Sequence, residues 1–269
     1  MKLFRILVVF GAVLLLASGV IAQAKKPKVV IVATGGTIAG AAASQTAAGY
    51  QSGAVGVDIL IQAVPQLKDV AEVTVEQVAS IGSQDMNDAV WLKLAKRVNE
   101  LLAKPEVDGI AITHGTDTLE ETSYFLTLVT KSDKPVVMTG SMRPSTAMSA
   151  DGPLNLYNAV GVAADPKAAG RGVLVVMNDW IQGAHSLTKT STTAVQTFMS
   201  PLRGLVGTAN YGTNDFFTRP EWKHTMQSEF DITGVTTLPR VDIIYASADM
   251  SPDLIDCAAT NGAKGVVIA

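Results

Sequence analysis

The stretch Val29-Val30-Ile31-Val32-Ala33-Thr34-Gly35-Gly36-Thr37-Ile38-Ala39-Gly40 constrains the fold of this chain more than any other. It begins as an apolar, β-branched run, which predicts a strand buried on both faces. The run breaks at Gly35-Gly36, where the backbone can turn tightly and approach a ligand closely. Thr37 follows just past the carboxyl end of the strand, where open α/β sheets bind their ligands. A reacting hydroxyl belongs at such a place. A turn or helix cap is the plainer use of the same residue. Two nucleotide-binding patterns fit poorly. Gly35 and Gly40 have the spacing of a phosphate loop, but Ala41 and Ala42 stand where Lys and a hydroxyl residue are needed. A dinucleotide fingerprint needs Gly-x-Gly-x-x-Gly, and here the glycines are adjacent.

From Lys28 onward, short β-rich runs alternate with longer helical ones. The pattern predicts strands over 28–33, 72–80, 108–113, 134–140 and 172–177, and helices over 56–63, 87–103, 118–130 and 153–164. The helix over 87–103 is the clearest, with Val90, Leu94, Val98, Leu101 and Leu102 on one face and Asn87 or Asp88 as its cap. The alternation implies an α/β fold: a large N-terminal domain with a mostly parallel sheet covered by helices. Residues 180–217 are rich in Thr, Ser, Gly and Asn and predict short strands and hairpins. Residues 218–240 read as a surface linker between domains. A strand, a helix and a further strand then follow, over 241–246, 252–260 and 265–269. One such unit cannot close a core. The expectation is the start of a smaller C-terminal α/β domain, truncated at 269, with apolar surface exposed around Val266 to Ile268.

Residues 1–24 carry a different signal. Lys2 and Arg5 precede an apolar stretch from Ile6 to Val20, and Ala22-Gln23-Ala24 is a small-x-small cleavage site. This is the pattern of a secretory signal peptide, and the apolar run is short for a membrane anchor. Cleavage leaves 19 of the 21 basic residues against 24 acidic ones, a net charge of about −5. That balance offers nothing to nucleic acid or to an anionic membrane. Cys257 is the only cysteine, so neither an intrachain disulfide nor a cysteine metal cluster can form. His114, His185 and His224 are scattered and make no metal-ligand pair.

Three further stretches carry candidate chemistry. In Ile110-Ala111-Ile112-Thr113-His114-Gly115-Thr116-Asp117-Thr118 a buried strand again ends in a Gly turn with a hydroxyl beyond it. Asp117 reads as a helix cap or as a site carboxylate, and Glu120 and Glu121 sit where a helix dipole favours acids. Two Gly-Thr strand ends in one parallel sheet can open onto one cleft. Gly82-Ser83-Gln84-Asp85-Met86 is a polar strand end whose hydroxyl and amide suit a carboxylate or amide ligand, or simply cap the next helix. In Thr188-Lys189-Thr190-Ser191 a lysine lies among hydroxyls, where it can activate a threonine, be held by an acid such as Asp117, or decorate an exposed strand.

Taken together, Thr34-Gly35-Gly36-Thr37-Ile38-Ala39-Gly40, Gly82-Ser83-Gln84-Asp85-Met86, His114-Gly115-Thr116-Asp117-Thr118, Thr139-Gly140-Ser141-Met142-Arg143-Pro144 and Thr188-Lys189-Thr190 resemble, in order, the motifs of the bacterial-type L-asparaginase family. The resemblance runs from about Lys28 to Ala269, and the leader makes it similar to the exported type II branch. It implies hydrolysis of L-asparagine to aspartate and ammonia through an acyl-enzyme, without cofactor or metal. By the same resemblance Thr37 is the nucleophile and Tyr50, on a mobile loop, helps to activate it. Thr116, Asp117 and Lys189 form a second catalytic cluster. Asp117 pairs with the substrate ammonium, and Ser83, Gln84 and Thr116 complete the substrate site. Backbone N–H groups at Gly115-Thr116 suit a developing oxyanion, and the Ala-, Ser- and Gly-rich loop 41–53 suits a lid. The family pattern also implies a homotetramer and a periplasmic or secreted location, with a further acidic residue reaching the site from a neighbouring subunit. Asp249 stands near where the family often has an asparagine.

Three other readings remain open at this stage. A glutaminase-asparaginase would accept L-glutamine as well. An amidotransferase subunit acting on glutamyl-tRNA would lack the leader and the acidic balance. A non-catalytic periplasmic amino-acid-binding protein would need Ser83, Gln84 and Asp117 but would have no use for two activated threonines.

Overall fold

Successive side chains of the first strand face opposite layers of the molecule. In the computed structural model, which describes residues 25–47 and 49–269, Val30 and Val32 point into one core and Val29, Ile31 and Ala33 into the other. The expected signal peptide, 1–24, lies outside the described residues. Each fully buried Val or Ile contributes about 1.5–3 kcal/mol, which pins the strand's register and hence the position of the turn that follows it.

The elements run β1 (Lys28–Gly35), a 3-10 turn (Thr37–Ala39), β2 (Ala41–Ala42), β3 (Tyr50–Gln51), α1 (Val57–Gln62), α2 (Leu67–Val70), β4 (Glu72–Ile81), a 3-10 turn (Ser83–Asp85), α3 (Asp88–Leu102), β5 (Gly109–Thr113), α4 (Leu119–Val129), β6 (Val136–Thr139), α5 (Gly152–Ala163) and β7 (Val173–Met177). Short strands follow: β8 (Trp180–Gly183), β9 (Thr188–Lys189), β10 (Phe198–Met199), β11 (Gly207–Asn210) and β12 (Thr213–Phe216). The chain ends in β13 (Val241–Ile244), α6 (Asp253–Thr260) and β14 (Gly265–Ile268). The long elements match their sequence expectations to within two residues, because their periodicity is strong. Asn87 caps α3 as expected, its side chain accepting from the Val90 N–H.

Eight strands form one sheet in the order β12-β11-β8-β7-β6-β5-β1-β4. β4, β1, β5, β6 and β7 are parallel, and β8, β11 and β12 extend the sheet antiparallel. Leu94, Val98 and Leu101 of α3 and Leu119 and Leu126 of α4 cover one face. Leu156, Ala159 and Val160 of α5, Leu60 of α1 and Leu67 of α2 cover the other. The path is what matters for function. The chain steps from β1 to β4 on one side, then crosses back to β5 on the other. Where the strand order reverses, the connections leave in opposite directions and open a crevice at the carboxyl ends of the strands.

Residues 218–240 lie mostly at the surface, as expected of a linker, but are anchored at a few buried points. Ile232 is buried in the same core layer as α3 and α4, with Val235 and Leu238 packed against it. His224 and Thr225 are buried as well. Lys131 Nζ donates to the Ser228 carbonyl at 2.8 Å, and Lys96 Nζ donates to that of Val235. The segment is a strap across one helical layer. Its apolar residues are spread among polar ones at no helix or strand period, so the sequence pattern concealed its packing. Beyond it, β13 and β14 pair in parallel through α6, and Val267 and Ile268 are about half exposed.

Candidate active site

β1 and β5 pair in register from Val29↔Gly109 to Ala33↔Thr113, so the two Gly-Thr turns leave the sheet side by side. They touch through glycine backbone. Gly36 has φ +80°, and a Cβ there would lie 2.3 Å from the Gly115 nitrogen. A Cβ on Gly115 would lie 2.5 Å from Ser83 Oγ, on the turn after β4. Three strand ends are thereby pressed together at the reversal point, and only glycine fits the contacts.

Thr37 opens the 3-10 turn and is buried. Its hydroxyl caps nothing; Thr37 Oγ1 lies 2.7 Å from the Tyr50 hydroxyl. Tyr50 belongs to a hairpin in which Ala41 pairs with Gln51 and Ala42 with Tyr50. Its ring packs against Gly40, where a Cβ would stand 3.0 Å from Tyr50 Cδ2. The expected lid is therefore a β-hairpin folded over the first turn.

The second turn has a different set of partners. Lys189 Nζ donates to Thr116 Oγ1 at 2.9 Å and to Asp117 Oδ1 at 2.6 Å. The Lys189 side chain is 14% exposed and that of Asp117 59%, so the ion pair reaches from the interior to the crevice surface. Asp117 is no helix cap: Thr118 holds the N-cap position of α4 and makes no side-chain cap bond. Ser83 Oγ accepts from the Asp117 N–H at 3.0 Å, and Thr118 Oγ1 donates to the Ser83 carbonyl at 2.9 Å. With that acceptor role filled, the Ser83 hydroxyl still has its proton to donate to an anion. Gln84 is exposed, and its amide folds over Gly82.

Beneath this turn, His114 is fully buried. Desolvation pushes it down to about 4, against a smaller opposing effect of its bond to the Gly115 carbonyl. Trp91 Nε1 donates to Thr122 Oγ1 at 2.8 Å, and Thr122 Oγ1 lies 3.0 Å from His114 Nε2. His114 Nδ1 lies 2.7 Å from the Gly115 carbonyl. A neutral imidazole protonated on Nδ1 satisfies every contact: it donates to Gly115 and accepts from Thr122.

The structure brings Thr37 to Tyr50, and Lys189 to Thr116 and Asp117, contacts in keeping with what the family resemblance implies, and it sets Ser83 against the Asp117 N–H. Sequence reasoning passed over Glu120, which accepts from the Lys189 backbone N–H. It also passed over Ser145 and Thr146, which hold the base of the hairpin: Ser145 Oγ donates to the Gly40 carbonyl at 2.8 Å and Ala42 N–H to Thr146 Oγ1 at 2.9 Å. Glu120 carried a signal, an acid three residues after Asp117 in a helix's first turn, which the helix dipole alone seemed to explain.

Chemically the crevice offers two hydroxyls with contrasting partners. A phenol beside Thr37 can relay a proton. An ammonium bonded to Thr116 favours negative charge on that oxygen. Either arrangement suits acyl transfer by a threonine, which is a weak nucleophile without help.

Comparison with known proteins agrees. The family model "Asparaginase, N-terminal" matches residues 28–222. L-asparaginase 2 of Bacillus subtilis is 54% identical over 246 residues, covering 90% of this chain and 65% of that protein. The probable periplasmic L-asparaginase of Haemophilus influenzae is 51% identical over 243 residues, covering 90% of this chain and 69% of that protein. Further relatives at 48–49% identity are named glutaminase-asparaginases. The crystal structure of the probable cytoplasmic L-asparaginase of Campylobacter jejuni superposes with a TM-score of 0.88 at 46% identity, covering 91% of this chain and 75% of that one. The chain spans about two thirds of the length of the first two of these relatives. With the motifs, the sheet order and these matches in agreement, the chain belongs to the asparaginase family.

Proposed function

We propose that the protein is an L-asparagine amidohydrolase that releases aspartate and ammonia. The observation that carries this reading is the pair of partnered threonines at the strand-order reversal, Thr37 with Tyr50 and Thr116 with Lys189 and Asp117. Thr37 Oγ1 attacks the side-chain amide carbon, its proton passing toward Tyr50, and the oxyanion is met by backbone N–H groups at Gly115-Thr116. The C–N bond then breaks, and the amide nitrogen takes up the Thr37 proton, relayed through the Tyr50 hydroxyl, to leave as ammonia. Water then attacks the acyl-enzyme, its proton returning through the Tyr50 hydroxyl to Thr37 Oγ1 as the ester bond breaks, while the Thr116 hydroxyl, polarised by the Lys189 ammonium, orients the water. Asp117 holds the substrate ammonium. The Ser83 hydroxyl, with Gln84, holds the carboxylate. Hydrolysis consumes only water, so the scheme has no step that requires a cofactor.

The reading assigns residues 25–217 to a catalytic domain, 218–240 to a connecting strap and 241–269 to a C-terminal α/β unit. The leader pattern at 1–24, together with a relative named as periplasmic, supports export to the periplasm or beyond. A homotetramer is the assembly implied by the family resemblance. Broader glutaminase-asparaginase activity is the second reading, favoured by the relatives that carry that name.

The test is ammonia release from L-asparagine and L-glutamine, side by side, on the full-length gene product. Fast release from asparagine alone supports the first reading, and comparable rates support the second. Thr37→Ala should cut release by more than about 10³-fold while aspartate still binds. Unchanged turnover in that variant removes Thr37 from the mechanism. No release from either amide by the parent protein, with aspartate still bound, leaves the binding-protein reading.

A further inference from the structure

Lys189 reaches the second turn from a weak element. β9 is two residues long, pairs among the described residues only with the equally short β10, and stands outside the eight-stranded sheet. A lysine side chain is long and flexible, so its ammonium keeps one position only when its backbone is held. Thr190, the next residue, is tied to the Thr197 carbonyl at 2.8 Å, and the group that holds the N–H of Lys189 itself is Glu120, in the first turn of α4. Glu120 Oε2 accepts from the Lys189 backbone N–H, and Oε1 lies 3.5 Å from Thr188 Oγ1.

Glu120 stands three residues after Asp117 on the same stretch of chain. Residues 116–120 therefore grip Lys189 at both ends. Thr116 and Asp117 take the ammonium, and Glu120 takes the backbone. That stretch is itself fixed, since its N-terminal part bonds to Ser83 and its C-terminal part is the start of a helix packed on the core.

We propose that Glu120 is a positioning residue for the reaction: it fixes the backbone of Lys189 so that the ammonium stays on Thr116 Oγ1. Without that tether, the lysine keeps its ion pair with the more exposed Asp117 and loses its alignment on Thr116. The proposal rests on the amidohydrolase reading above for its effect on rate, but not for its effect on the backbone. A first-turn acid also interacts favourably with the helix dipole. That alternative is separable, because it depends on the charge and not on the bond to Lys189.

The experiment compares Glu120→Gln, Glu120→Ala and Glu120→Asp in the full-length protein. Glutamine keeps a carbonyl for the Lys189 N–H and loses the charge. Alanine loses both. Aspartate keeps the charge but draws it back by one methylene, and it serves as the second disruptive variant should Glu120→Ala not fold. Two quantities are read: kcat and KM for asparagine, and deuterium exchange of the Lys189 amide. Glu120→Ala should lower kcat about 10- to 100-fold with KM within about threefold, and speed Lys189 exchange about tenfold. Glu120→Gln should restore both to within about threefold of the parent, with Glu120→Asp between the two. The proposal is overturned if Glu120→Ala leaves kcat and Lys189 exchange unchanged. It is equally overturned if Glu120→Gln is as damaged as Glu120→Ala, because then the charge matters and the tether does not. A parent protein that releases no ammonia refutes the amidohydrolase reading instead, and the exchange data still decide whether Glu120 holds Lys189.

Discussion

The two Gly-Thr turns are built from the same device and end in different chemistry. Both follow a buried parallel strand, both rely on glycine for their mutual contact, and both bury a threonine at the strand-order reversal. The partner of Thr37 comes from 13 residues further along, on a hairpin, and is a phenol whose residue is 42% exposed. The partner of Thr116 comes from 73 residues further along and is an ammonium, largely buried and paired with a carboxylate. A neutral hydroxyl pair on a small hairpin separates at modest cost, of order 1 kcal/mol net. Separating a lysine from its carboxylate leaves a partly buried charge unpaired, which costs more. The backbone supplies two equivalent seats, and on the proposed reading the delivering segment decides which opens for substrate and which stays fixed.

If the second seat is the fixed electrostatic one, removing its cation should be the larger lesion. Lys189→Met keeps the stem's bulk and leaves Asp117 unpaired. It should lower kcat for asparagine about 10³-fold, measured as ammonia release at saturating substrate, with the Thr37–Tyr50 contact untouched. A loss below about tenfold would remove the second turn from the chemistry and reduce the contrast to packing.

Acid should also act on the second turn, since His114 lies beneath it. Its folded-state value is about 4 against an ordinary 6.5. Between those two values the unfolded chain takes up a proton that the folded chain refuses. Stability therefore falls as pH drops from 6.5 to about 4, by at most about 3 kcal/mol from this group. Below that range this group contributes no further change. His224, lowered chiefly by burial, adds a contribution of the same sign. Denaturant midpoints at several pH values, compared with those of His114→Gln, isolate the His114 share. An acid limb as steep in the variant as in the parent would show that the Trp91–Thr122–His114 relay carries no titration.

The sequence made the fold readable wherever one local pattern carried the information, whereas the pairings of Thr37 with Tyr50 and of Thr116 with Lys189 followed from the family resemblance. β1 and β5 are mostly apolar runs, each followed closely by a glycine turn, so the strands, their burial and the hydroxyls beyond them follow from short-range rules. α3 announces itself by period and cap. What escaped were contacts whose partners share no pattern. Glu120 has a sufficient local explanation as a first-turn acid, which hides its bond to Lys189, 69 residues away. Ser145 and Thr146 lie 105 and 104 residues from their hairpin partners and look like ordinary loop hydroxyls. The strap at 218–240 buries Ile232 without either period. Local rules read elements well and read the tertiary hydrogen bonds that hold a site poorly.

The first turn gives the smaller effects and the finer test. Tyr50→Phe keeps the ring on Gly40 and removes only the hydroxyl, so kcat should fall about 10²-fold with the melting temperature unchanged. Thr146→Val removes the acceptor of the Ala42 N–H at the hairpin's base. That bond is solvent-accessible and worth at most about 1 kcal/mol, so kcat/KM should fall about two- to fivefold. The combinations carry the argument. If Thr146 acts by holding Tyr50 in place, then once Tyr50→Phe is present, adding Thr146→Val should cost almost nothing more. The same change added to Lys189→Met should cost its full factor, because the hairpin and the lysine share no partner among the described residues. Full additivity in the Tyr50 pair would mean that the hairpin's base supports binding by some route other than the phenol. Loss of additivity in the Lys189 pair would mean that the two seats act as one unit rather than as a movable half and a fixed one.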